Sequence, residues 1–222
     1  MPSERFLQLQ DQLRLLRTHL LPDQFDPTGT YDNYECVAIQ SLAYRVLAHA
    51  EIESFFEDRA LEAATLAHSA WESGRRVSHI AFCLLGFSGR EMSLPPPTLE
   101  APTDNKRKTW PSLVDIDKRL LPVISDFHQF IRSGNHGIKE KNLLSMLLPI
   151  GIEPKKIDSA FLAEMESFGA LRGLAAHTSG KMTAKQGINP AEELKRVESL
   201  MPGIEFLDTE INTLIVGIPL AT

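Results

Sequence analysis

The sequence predicts an all-α fold, and three observations carry that reading. Apolar residues recur at three- and four-residue steps through most of the chain, the mark of helices with one buried face. No stretch alternates apolar and polar residues with the two-residue period of a half-buried strand. Proline and glycine, 14 and 13 among 222 residues, gather at a few places, which divides the chain into long uninterrupted segments joined by turns. With 43% hydrophobic residues the chain can bury one good core, so residues 1–222 are read as a single domain with extensions.

Residues 3–21 form an amphipathic helix with Phe6, Leu9, Leu13, Leu16 and Leu20 on one face. Pro22 to Thr30 is a turn. From Tyr31 to Gly74 the text is alanine-rich and nearly free of breakers, and Tyr34, Val37, Leu42, Arg45, Val46, His49, Ile52, Phe56, Leu66 and Trp71 mark one or two long helices. A run of that length needs neighbours along it to be stable. Val77 to Phe87 is a shorter apolar helix. Residues 93–111 hold five prolines and the basic run Lys106, Arg107, Lys108, so proline opposes helix, charge opposes burial, and a long loop results.

Helix resumes from Leu113 to Ile131, where Pro122 is expected to kink it or to start a new first turn. Ser133 to Gly137 is a turn, and Ile138 to Leu148 is a short helix closed by Pro149 and Gly151. Asp158 stands as the N-cap of a helix whose buried face is Phe161, Leu162, Met165, Phe168, Leu171 and Ala175, and Thr178, Ser179 and Gly180 end it. A loop follows, and Pro190 opens the last helix, with Leu194, Val197, Leu200, Ile204, Leu207, Ile211 and Leu214 on its apolar face. Pro202 and Gly203 are expected to interrupt that helix.

Composition excludes several classes. No apolar run is long enough to cross a membrane, and the N-terminal segment alternates charged and apolar residues, unlike a signal peptide. A cytoplasmic protein without membrane contact is expected. Cys36 and Cys83, the two cysteines, are too few for a disulfide framework and lie in apolar helical text, so both are expected as buried reduced thiols. The net charge of −6 argues against indiscriminate nucleic-acid binding. That charge is uneven: residues 1–72 are strongly acidic, while 132–185 carry more cations than anions. No P-loop, GxGxxG or HExxH occurs, so nucleotide binding and zinc hydrolysis lack a motif.

Three constellations stand out. Gly169 and Gly173 stack on one side of a helix and leave room for a close neighbour, at a cost of about 1 kcal/mol each relative to alanine. Arg172 and His177 flank them; in a straight helix five residues separate side chains by about 140° and about 7.5 Å, so the two do not share a face. Arg45, His49 and Glu53 do share one, at four-residue steps. They hold either one another, as a buried ion pair, or another polar group; with Glu57 they also imitate a His/Glu metal stripe, which lacks a second histidine. Finally, Asn135 and His136, followed by Lys139, Lys141 and Asn142, form a turn into a helix N-terminus, where free N–H groups attract phosphate. A solvated turn with lysines explains the same residues.

The stretch FGALRGLAAHTSG, preceded by NHGIKEKNLLSMLLPIGIEP and far upstream by YRVLAHAEIESFFED, resembles the RiboL-PSP branch of the HEPN superfamily of all-helical ribonucleases. The family's motif is an arginine followed, after four to six residues, by a histidine, and Arg172 and His177 match it. Spacing alone is weak, since 13 arginines and 7 histidines give roughly one chance match, and Arg14 with His19 is one. The resemblance covers roughly residues 31–180. It implies a HEPN-like helical bundle with extra terminal helices, and a homodimer with the motifs facing across the interface. It also implies metal-independent RNA cleavage without a cofactor, in which the ribose 2′-OH attacks the adjacent phosphate. His177 would move the proton and Arg172 would stabilise the growing phosphate charge, with Arg45, His49 and Glu53 in support. Lys106, Arg107, Lys108, Asn135, His136, Lys139, Lys141 and Asn142 are the expected RNA contacts. A toxin or defence effector, with an antitoxin or other protein partner, is the expected setting. Gly173 stands where many active members carry a polar residue, so a noncatalytic module that binds RNA or protein is the alternative expectation.

Overall fold

The computed structural model describes residues 1–89, 115–177 and 188–218, and for residues 174–177 the backbone alone. These residues form seven α-helices and one 3-10 turn, with no strand among the described residues. The helices are α1 (Glu4–Leu20), α2 (Tyr34–Gly74), α3 (His79–Phe87), α4 (Ile116–Ser133), α5 (Glu140–Leu147), α6 (Ser159–His177) and α7 (Pro190–Val216). Helix boundaries follow local capping chemistry. Ser3, Asn33, Ser78, Asp115 and Asn189 each accept a hydrogen bond from a backbone N–H of the first turn they precede, and Asp158 does the same for Ala160 at 2.9 Å.

The long alanine-rich segment is one helix of 41 residues, roughly 60 Å at 1.5 Å per residue. Every other α-helix packs against it. Its buried residues, from Tyr44, Ala48 and Ile52 through Phe55, Phe56 and Ala60 to Ala63, Ala64 and Ala67, occupy more than one stripe, as a helix with neighbours on several sides requires. Phe6 of α1 meets Phe55 edge-on at 6.0 Å, and Phe55 meets Phe56 at 5.1 Å. Small alanines elsewhere let neighbouring backbones come close.

Polar clamps tie the two ends. At the C-terminus of α2, Arg75 takes a left-handed conformation with φ 52°; its guanidinium lies over the Trp71 ring and pairs with Asp117 at 2.6 Å. Trp71 donates its indole N–H to the same carboxylate, so α2 is fastened to the first turn of α4. On the other side, buried Asp208 of α7 accepts from the Ser3 backbone N–H and the Ser3 hydroxyl, both at 2.7 Å. Arg59 of α2 brings its Nε to 2.9 Å from Asp208, a charge contact without hydrogen-bond alignment, since Nε has no hydrogen-bond partner. Arg59 also donates to Glu62 and Asn212.

Of the two prolines inside helices, Pro202 behaves differently from expectation. Helix α4 runs through Pro122 and α7 runs through Pro202. A proline inside a helix costs about 3 kcal/mol, yet Leu200, Ile204, Leu207 and Ile211 are buried on either side of Pro202. Burial of such side chains stabilises by about 1.5–3 kcal/mol each, which outweighs the lost bond. Gly203 has a packing reason: a Cβ there would lie 2.2 Å from the Phe161 ring, which seats α6 on α7. The cysteines also depart from expectation, since Cys36 is exposed and Cys83 only partly buried. Cys36 lies in the first turn of α2, on an exposed side. The proline-rich basic segment at 93–111 lies outside the described residues, and Lys106, Arg107 and Lys108 with it. No helix among the described residues is long and apolar enough to cross a membrane.

Candidate functional site

The face of α2 that carries Arg45, His49 and Glu53 looks toward α6, α7 and the turn before α5. Arg45 does not pair within its own stripe. Its guanidinium forms a two-pronged, buried ion pair with Glu193 of α7, with bonds of 2.7 and 2.6 Å. Such a fork-to-carboxylate pair is directional, and it locks α7 onto α2.

His49 is buried, with its side chain 2% exposed. Its ring centroid lies 6.0 Å from that of Phe168 on α6. Burial, with a smaller contribution from the positive charge of Arg172, lowers its pKa to about 4, so the imidazole is neutral at pH 7. Nδ1 sits 3.5 Å from a Glu53 oxygen and has no hydrogen-bond partner. The other Glu53 oxygen accepts the backbone N–H of Gly137. Glu53 therefore bridges the buried histidine and the turn leading into α5. One helical turn on, burial and then the Glu53 charge raise the Glu57 carboxyl above its ordinary range, while Arg132 and His136 oppose the shift.

The Asn135–Asn142 region is a closed unit. Asn135 is buried and its side-chain oxygen accepts from the Asn142 amide at 2.9 Å. The Glu140 backbone N–H donates to Glu166 of α6 at 3.2 Å, and Lys139 pairs with the same carboxylate at 3.4 Å. The N–H groups of Gly137 and Glu140, which the sequence offers to a phosphate, are here taken by Glu53 and Glu166. His136, Lys139 and Lys141 are exposed. The close neighbour expected at the glycine pair is found at one of the two: a Cβ on Gly169 would lie 2.9 Å from Lys139 Cγ and 3.8 Å from Ile138 Cγ1, whereas around Gly173 nothing lies within 4 Å. Gly169 thus serves packing within the chain, and the open position is Gly173.

Helix α6 continues to His177, so its backbone keeps Arg172 and His177 about 140° apart. The His177 side chain lies outside the described residues. Arg172 is partly buried and pairs with no carboxylate among the described residues. What the fold brings together is Arg172, His49, Phe168 and Glu53, because α6 lies on α2; what it separates from them is Arg45, which belongs to Glu193. Glu193 and Glu166 carry no signal in the sequence that ties them to this site. Glu193 is 148 residues from Arg45, and no spacing rule spans that distance. The decoy Arg14 is held by Asp11 at 2.7 Å on an exposed face of α1. Among known proteins, no family model, no curated protein and no solved structure matches this chain.

Proposed function

We propose that this chain is a cytoplasmic, metal-independent endoribonuclease of the HEPN type. The ribose 2′-OH attacks the neighbouring phosphate, His177 moves the proton, and Arg172 neutralises the charge that grows on the phosphate oxygens. The observation that supports the reading is Arg172 itself, a partly buried guanidinium with no carboxylate partner among the described residues, beside a histidine kept neutral by burial. A cation left without a counterion among the described residues, in a protein of net charge −6, suits an anionic ligand. A homodimer that sets Arg172 of one copy against His177 of the other answers the 140° separation on a single helix. Lys106, Arg107 and Lys108, with His136 and Lys139, are the cations that would carry the RNA backbone.

Purified protein incubated with single-stranded RNA in excess EDTA should leave 2′,3′-cyclic phosphate ends. Arg172→Ala and His177→Ala should each lose a factor of roughly 10² to 10⁴ in rate, His19→Ala should lose nothing comparable, and mixing the two inactive variants should restore part of the activity. Full activity in His177→Ala would remove the assignment. A second reading, a noncatalytic module that binds RNA or protein, is favoured by Gly173. A Cβ there would meet no neighbour among the described residues within 4 Å, so no packing demand among them explains the missing polar side chain. Wild-type protein that binds RNA without cutting it, and gains cleavage on Gly173→Asn, would place it there.

A further inference from the structure

Helices α3, α4 and α5, with Glu166 of α6, border a groove of about 810 Å3. Leu84, Val123, Phe127 and Leu144 line its floor. At its edge Phe87 and Phe130 stand 60% and 41% exposed, and two aromatic rings left in water beside one apolar floor mark a surface made to be covered. The polar rim is acidic. Asp126, Glu140 and Glu166 line it against Lys141, the one cation among the described lining residues. Glu166 is matched by Lys139, whereas Asp126 and Glu140 are exposed and have no cationic partner among the described residues.

We propose that this groove docks a segment of a partner protein that carries bulky apolar side chains flanked by lysine or arginine. The apolar anchors would fill the floor and the flanking cations would pair with Asp126 and Glu140. Charge decides among occupants. RNA would bring phosphates to an acidic rim, and a second copy of this chain, docked groove to groove about a two-fold axis, would set one acidic rim against another. A basic amphipathic segment meets neither penalty and matches the helix-in-groove mode of recognition. The proposal stands independently of RNA cleavage.

The test uses the full chain and a fluorescein-labelled helical peptide of leucine and lysine at helical spacing, compared with a leucine and glutamate peptide of equal length. Fluorescence polarisation should show the lysine peptide binding at least ten-fold tighter. Phe130→Ala, and separately the pair Asp126→Lys with Glu140→Lys, should each weaken it about ten-fold. The pair Asp32→Lys with Glu35→Lys, which alters net charge equally at a distance from the groove, should leave it unchanged. Equal binding of the two peptides, or equal losses in the two charge-reversal pairs, would overturn the proposal. So would a rise in affinity when Lys106, Arg107, Lys108 and Trp110 are replaced by serine, because the groove would then belong to the chain's own segment.

Discussion

A histidine that keeps no proton at neutral pH gives this fold a definite response to acid. His49 is neutral when folded, with a pKa lowered from 6.5 to about 4 by burial first and Arg172 second. Because the unfolded chain takes up that proton more readily, the stability it contributes is fully present above pH 6.5 and is lost as pH falls toward 4. A shift of that size corresponds to about 3 kcal/mol at most. Nδ1 already lacks a hydrogen-bond partner, so an apolar side chain of similar size removes a buried orphan without creating another. His49→Leu should therefore be no less stable than wild type at pH 7 and should lose less stability between pH 7 and pH 5. Urea midpoints of both proteins across that range measure the difference. A variant with the same acid slope as wild type would mean that His49 is not the group responsible.

At the scale of the element, α6 holds two glycines with opposite surroundings, and each answers to substitution in its own way. Gly173→Ala adds a methyl to open space and should stabilise the protein by up to about 1 kcal/mol through helix propensity. Gly169→Ala pushes its methyl to 2.9 Å from Lys139 Cγ, so the same gain is offset by displacing that side chain and should come out near zero. Denaturant melts of the two variants separate these outcomes, and a destabilising Gly173→Ala would show that a second copy presses on that face. The elements were legible because apolar periodicity and breakers mark them locally, and Asp158 caps its helix as its side chain suggests. Pro202 was misread because a local rule met a tertiary one, four buried aliphatic residues against one missing N–H. Within the site, the shared face of His49 and Glu53 and their nearness to α6 could be read from spacing and resemblance. The pairing of Arg45 with Glu193 could not, because only the packing of α7 on α2 creates it.

For the whole molecule, α2 is the member that makes local events global. The clamp of Trp71, Arg75 and Asp117 fastens α4 at its C-terminal end, Arg59 with Asp208 and Ser3 fastens α7 and the N-terminal residues near its middle, and Arg45 with Glu193 fastens α7 again further up. An isolated helix owes most of its stability in a protein to the surfaces packed on it, so stripping any one neighbour exposes apolar residues along a spine that all the others share. The described helices should then unfold together. The chain has 2 tryptophans, and Trp110→Phe leaves Trp71 as the single indole reporter for the α2–α4 end, while far-UV circular dichroism reports every helix. In that variant the guanidinium chloride midpoints of fluorescence and ellipticity should coincide, as a two-state transition requires. Adding Asp117→Asn, which weakens the clamp at one end, should shift both midpoints to lower denaturant by the same amount. A fluorescence transition that precedes the loss of ellipticity would show the α3–α4 end opening by itself, and α2 would then be a shared scaffold for two separately stable halves.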